Sequence, residues 1–236
     1  MPKTPIDNSN LVIIPTRGRP ENAERAVKYL KEHSRVSDIV LGLDEDDEHN
    51  YPRFDGVKYE VGPREYMIAT LNKIAMKYVD DYLFFTFLGD DNIVTTEAWD
   101  VAMSITLAKR GYGIAYGNDM FQEERLPTSI MITTNIVRAL GFMAPPQLKH
   151  LYADNFWQAL GKGLGSYYYF PSVYWEHLHF YNGKSEKDVV YEEANSDERY
   201  KQDKESFDSY IKDIYVDDVL RVKEALGVNL QQDQGN

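Results

Sequence analysis

The apolar run Tyr82-Leu83-Phe84-Phe85-Thr86-Phe87-Leu88 ends in Gly89-Asp90-Asp91-Asn92. Two adjacent carboxylates at the end of a buried strand repel each other and cost desolvation, so a positive partner is expected between them; a hard divalent cation suits such oxygen donors. Such a cation would usually carry phosphates. Asp90 and Asp91 are therefore candidate metal ligands, and Mg²⁺ or Mn²⁺ the candidate ion. His177 and His179 stand two apart on a predicted strand, which puts both imidazoles on one face, and one imidazole shifts the choice toward Mn²⁺. His179 is the preferred ligand of the two, because it lies nearer the turn-like Tyr181-Asn182-Gly183. Lys184 follows that turn and could lay its ammonium beside a phosphate, while Arg17 and Arg19 could bracket a diphosphate or a base. Asp154 opens a predicted helix where a carboxylate base would be useful to an acceptor hydroxyl.

Each assignment has a plainer alternative. Asp90 and Asp91 could cap a helix starting near Thr95, and Asp154 could be an ordinary N-cap. Asp44-Glu45-Asp46-Asp47-Glu48 could be an exposed acidic loop, with Asp46 the substitute should Asp44 play no part. The histidines could be satisfied side chains on an aromatic-rich sheet. Most of the tyrosines and tryptophans should simply fill core; Trp157, three residues past Asp154, is singled out to stack on an acceptor.

These residues need elements to position them. Leu11–Pro15 reads as a strand, followed by the loop Thr16-Arg17-Gly18-Arg19 and a helix opened by Pro20 whose apolar positions Ala23, Ala26, Val27 and Leu30 share a face. A second strand spans 39–43, an amphipathic helix 66–78, and the strand carrying Asp90 comes next. This is β-α-β-loop-α-β, the pattern of a mostly parallel sheet covered by helices, and ligands bind such sheets beyond the carboxyl ends of the strands. Pro15 to Arg19, Asp44 and Asp90 to Asn92 all fall at such ends. Further on, helices are expected at 96–110, 135–140 and 154–160, and strands at 113–116, 129–133, 167–170 and 173–180. Gly161-Lys162-Gly163-Leu164-Gly165 reads as loop and cap, since it lacks the phosphate-loop spacing. From about Ser185 the chain turns charged, with helices near 206–215 and 216–226 and a solvated face.

Composition narrows the partners. The chain has 236 residues, 43% of them hydrophobic and 13% aromatic, enough for a sizeable core. It has no cysteine, which removes thiolate chemistry and disulfides. The start lacks a signal-peptide pattern and no stretch is long and apolar enough to span a bilayer, so the expectation is a soluble, cytoplasmic protein without a membrane partner. A formal charge of −12 opposes a broad nucleic-acid footprint. Small-molecule chemistry is the default.

Taken together, Val12-Ile13-Ile14-Pro15-Thr16-Arg17, Leu88-Gly89-Asp90-Asp91-Asn92, the helix-opening Asp154 and a late histidine resemble the nucleotide-sugar glycosyltransferases of the GT-A fold. The likeness is to the family-2-like group and its small bacterial and phage members, over roughly Leu11 to Lys184. It implies an α/β, Rossmann-like sheet with flanking helices and a helical C-terminal tail: a catalytic domain over 1–184, with a nucleotide-sugar half (1–92) and an acceptor half (93–184), and an extension over 185–236. It also implies that the DxD-type carboxylates hold Mn²⁺ or Mg²⁺ against the donor diphosphate, that Asp44 meets the nucleobase, that Asp154 faces the acceptor and that the late histidine completes the metal shell. Asn92 departs from the pattern, because many relatives keep Asp there. The implied reaction moves a sugar from a nucleotide sugar, with UDP the favoured nucleotide, to a hydroxyl acceptor such as a modified DNA base, a protein or a glycan. Two other classes compete: a sugar-nucleotide nucleotidyltransferase, which usually has a more glycine-rich first loop, and a non-catalytic nucleotide-sugar-binding module, which could dispense with the acids and histidine together.

Overall fold

The computed structural model describes residues 9–178, 183 and 189–228. Eight strands, β1 (Asn10–Pro15), β2 (Ser37–Asp44), β3 (Val57–Gly62), β4 (Phe84–Phe87), β5 (Asn92–Val94), β6 (Ile114–Asn118), β7 (Ile130–Thr133) and β8 (Tyr167–His177), form one sheet in the order β3-β2-β1-β4-β7-β6-β8-β5. The first four in that order are mutually parallel; β7 runs against both β4 and β6, β8 is parallel to β6, and β5 runs against β8. Helices α1 (Pro20–His33), α2 (Tyr66–Tyr78), α3 (Trp99–Arg110), α4 (Thr134–Leu140) and α5 (Ala153–Leu164) flank it, followed by α6 (Val189–Ala194), α7 (Asp197–Asp213) and α8 (Tyr215–Ala225).

The apolar stripes find the sheet as their periodicity requires. Ala23, Ala26, Val27 and Leu30 of α1 are buried, as are Ile68, Leu71, Ile74 and Ala75 of α2. Strands β1 and β2 are buried almost throughout, as central parallel strands should be. Gly42 lets α2 lie close on β2: a β-carbon there would stand 2.6 Å from Thr70 Cγ2 and 2.8 Å from Ile74 Cδ1. The connections after β1, β2 and β4 then bring their polar residues to one edge of the sheet.

Four expectations need correction. The segment after Asp90-Asp91 is not a helix start but β5, and α3 begins only at Trp99. Residues 57–62, read as loop, form β3. Helix α5 runs on through Gly161 and Gly163 to Leu164, with Gly165 (φ 65°) as its left-handed cap. Those two helical glycines serve close packing, since a β-carbon at either would clash with the Tyr167 ring or the Tyr215 hydroxyl. The strands expected at 167–170 and from 173 are one strand with an irregularity in register opposite Gly117 and Asn118, which accommodates Pro171.

The tail is built into the same core. Tyr210, Val219 and Val222 are buried with the sheet's side chains. Tyr210 donates to Asp218 at 2.8 Å, Tyr215 to the carbonyl of Ala159 at 2.7 Å, and Arg221 to the carbonyl of Leu140 at 3.1 Å, the last two tying α8 to α5 and α4. Among the described residues, no helix is long and apolar enough to cross a membrane.

Candidate active site

One cavity of about 580 Å³ opens at the carboxyl ends of β1, β2 and β4 and is closed on its far side by α5, β8 and the tail. Pro15, Thr16, Arg17, Arg19, Asp44, Asp90, Asp91, Asp154, Trp157 and His177 all line it. Residues up to 162 positions apart in the sequence thus meet in one crevice, as the strand-end argument requires. His179 and Lys184 lie outside the described residues.

Asp90 is buried and held from behind. Thr16 Oγ1 donates to it at 2.7 Å, Arg19 approaches at 3.4 Å, and Tyr51, whose hydroxyl is 3.2 Å from Thr16 Oγ1, backs the network. Burial and the neighbouring Asp91 charge push the Asp90 carboxyl up to about 6, against the opposing pull of Arg19 and Thr16. Asp91 is more open and reaches His177, whose Nε2 is 3.2 Å from its Oδ2. On the other side of that imidazole, Asp119 Oδ2 stands 4.0 Å from Nδ1. Burial works against a charged His177, but the Asp91 hydrogen bond and the charges of Asp91, Asp119 and Asp154 outweigh it and raise the imidazole above its ordinary value.

Asp154 is not the N-cap. Tyr152 occupies that position in a left-handed conformation (φ 66°) without a side-chain cap, and Asp154 falls inside the first turn, accepting from the backbone of Asn155 at 2.8 Å. Burial raises its carboxyl, partly offset by backbone hydrogen bonds. Asp154 lines the same cavity as Asp91 and His177. Trp157 is only 1% exposed: its indole donates to the Met143 carbonyl at 2.8 Å and its ring packs on Phe87, so it forms the cavity floor.

At the β2 end, Arg17 bonds Asp44 at 2.8 Å and grips Asp46 with its two terminal guanidinium nitrogens at 2.6 and 2.8 Å. Asp44 faces the cavity, whereas Asp46 is 60% exposed and only steers Arg17. Asn92 is buried and accepts from Ser129 at 3.0 Å. Among the described residues, no three His, Asp or Glu side chains form a ready metal shell.

Sequence reasoning missed several lining residues: Arg64, Tyr66, Phe121, Thr128, His150 and Arg199. It also missed Asp119, which follows β6 and organises the next loop by accepting from the backbones of Phe121, Gln122 and Glu123 at 2.9, 2.7 and 2.8 Å. The rule that singled out Asp44 and Asp90, an acid just beyond a strand's carboxyl end, applies equally to Asp119. The tail residues carry no such signal.

No protein-family model matches the sequence, and no curated protein does. Among solved structures, the chain is similar to the mannosyltransferase PcManGT from Pyrobaculum calidifontis in complex with GDP-Man and Mn²⁺ (TM-score 0.54, 11% identity, 95% of this chain and 77% of that one). It is likewise similar to residues 1–349 of S. aureus TarS in complex with UDP (TM-score 0.53, 11% identity, 88% and 73%). Against a longer TarS chain the TM-score is 0.52 at 13% identity, and the match covers 72% of this chain but only 37% of that one. At such identities the likeness is one of fold. The chain has the GT-A fold: a mixed α/β architecture with a mostly parallel sheet, flanking helices and a helical C-terminal region.

Proposed function

We propose that this protein is a glycosyltransferase that moves a sugar from a nucleotide sugar, with UDP the favoured nucleotide, to a hydroxyl acceptor. The observation that carries the reading is the meeting of Asp90, Asp91, His177 and Asp154 in one cavity at the strand ends of a GT-A fold. The similar solved structures bound to UDP, and to GDP-Man with Mn²⁺, support it.

A divalent cation fits the residues present. Asp91 and His177 offer an oxygen and an imidazole nitrogen close together at a partly open position, a donor set suited to Mn²⁺ or Mg²⁺, with Asp90 behind them and donor phosphates to supply further oxygens. When bound, the ion would neutralise charge developing on the leaving diphosphate. The chain's own groups do the rest. Thr16 and Arg19 fix Asp90, Arg17 holds Asp44 at the end of β2 where the nucleobase would sit, and Asp119 flanks the Nδ1 side of His177, which leaves Nε2, the nitrogen turned toward Asp91, to take the ion once the ring is neutral. Asp154 receives the acceptor's proton, and its burial strengthens it as a base. Of a modified DNA base, a protein and a glycan as acceptor, the net charge weighs against the first.

Incubating the protein with a panel of nucleotide sugars and Mn²⁺, and reading products by mass spectrometry, tests the assignment. Release of nucleoside diphosphate, abolished by Asp91→Asn, is expected. In a parallel incubation with nucleoside triphosphates and sugar phosphates, pyrophosphate release would assign the chain to the nucleotidyltransferases instead.

A further inference from the structure

Four arginines line the cavity among the described residues, and three face acids: Arg17 pairs with Asp44 and Asp46, Arg19 with Asp90, and Arg64 with Glu193. Arg199, on the first turn of α7, is different. The residue as a whole is 9% exposed, and among the described residues no carboxylate pairs with it; its partners are Gln202 Oε1 at 3.3 Å and the ring of Tyr66, whose centroid lies 4.4 Å from its Cζ. The acid one turn on, Asp203, is engaged elsewhere, accepting from the backbones of Lys149, His150 and Leu151 at 3.0, 2.9 and 2.8 Å. Lys149 lays a second cation on Tyr66, 5.2 Å from the centroid. Tyr66 itself holds a left-handed backbone (φ 69°), costly for a tyrosine, and lines the cavity.

An arginine on a largely covered cavity wall without a counter-charge is costly, and stacking on one ring recovers only part of that cost. The planar fork of arginine matches a phosphate's oxygens, and a lysine beside it adds charge. We infer that Arg199, with Lys149 and the Tyr66 ring, forms a phosphate-binding subsite that the C-terminal helices contribute to the cavity. The subsite stands on this geometry alone; only the origin of its phosphate, in the donor's diphosphate or on the acceptor, rests on the glycosyl-transfer reading.

Calorimetry on the full chain with inorganic phosphate, UDP and uridine, for wild type and Arg199→Gln, tests it. Wild type should bind phosphate, and the variant should bind it about tenfold or more weakly at an unchanged or raised thermal midpoint, since it removes an uncompensated charge. A matching loss for UDP with none for uridine assigns the subsite to the donor diphosphate. Unchanged UDP affinity, with phosphate binding to the UDP-saturated chain lost, assigns it to an anionic acceptor. Phosphate binding through Arg199 in a chain that does not bind UDP would sink the donor reading and leave the subsite standing. Equal affinity of variant and wild type for both phosphate and UDP, or no binding of either by wild type, overturns the inference. Should Arg199→Gln fail to fold, Lys149→Gln, altering an exposed side chain, must show the same loss in smaller measure; wild-type affinity there overturns it too.

Discussion

Asp90 carries a large electrostatic burden at the site, and its cost has a testable sign. Its carboxyl is raised from the ordinary 3.8 to about 6, so between those values the folded protein holds the proton more tightly than the unfolded chain does. The stability linked to that proton is fully present below about 3.8 and is lost as pH rises through 6. Asp90→Asn mimics the protonated form, so in metal-free buffer with chelator its thermal midpoint should gain on wild type from pH 4 to pH 7. A pH-independent difference would show that Asp90 is not strained in this way. Asp154 makes a kinetic prediction: Asp154→Asn should keep or gain stability at pH 7 and keep UDP affinity while single-turnover rate falls roughly 10²–10⁴-fold. An Asn variant with wild-type rate would remove Asp154 as base. At this scale the acids were legible because carboxylates at strand ends are few and costly. Asp119 escaped notice although the same rule reaches it, and the burial of Trp157 could not be read from its distance to Asp154, because a helix's periodicity does not say what its neighbours cover.

The elements were legible where periodicity is strong, as in α2, whose expected span of 66–78 is the observed one. They were not where long-range contact overrides local signal. β5 exists because Asn92, Ile93 and Val94 pair with His177, Glu176 and Trp175 of β8, more than 80 residues on. Helix α5 survives its glycines because Tyr167 and Tyr215 need the space. Helix α7 shows how such contacts set the site: Asp203 draws together three consecutive backbone N–H groups of the segment that leads into the left-handed Tyr152 and then Asp154. Asp203→Ala would orphan all three and should cost roughly 3 kcal/mol in urea unfolding. UDP affinity should fall with it, since the displaced segment carries the cavity wall. Full stability in that variant would mean that the segment finds other partners.

For the molecule as a whole, the charged tail keeps a solvated face but also turns residues inward. The alternation of Lys, Asp and Glu along 197–225 hides them: Asp203 and Asp218 look like surface acids, yet both are buried on partners that only the fold supplies, the backbone at 149–151 and Tyr210. With the tail in place, the cavity touches the β1 loop, the ends of β2 and β4, α5, β8 and α7 at once, so a ligand that fills it should stabilise the whole fold rather than one part. UDP with Mn²⁺ at about 100 times its dissociation constant should add about 2.7 kcal/mol, a rise in thermal midpoint of roughly 5–10 °C for a chain of this size. Adding chelator should cancel most of that rise if Asp91 and His177 hold the ion that carries the diphosphate, and Asp91→Asn should show the same small rise with or without chelator. A UDP-induced rise in wild type that survives chelation intact would instead assign diphosphate binding to the cationic side chains alone and remove the metal from the donor site.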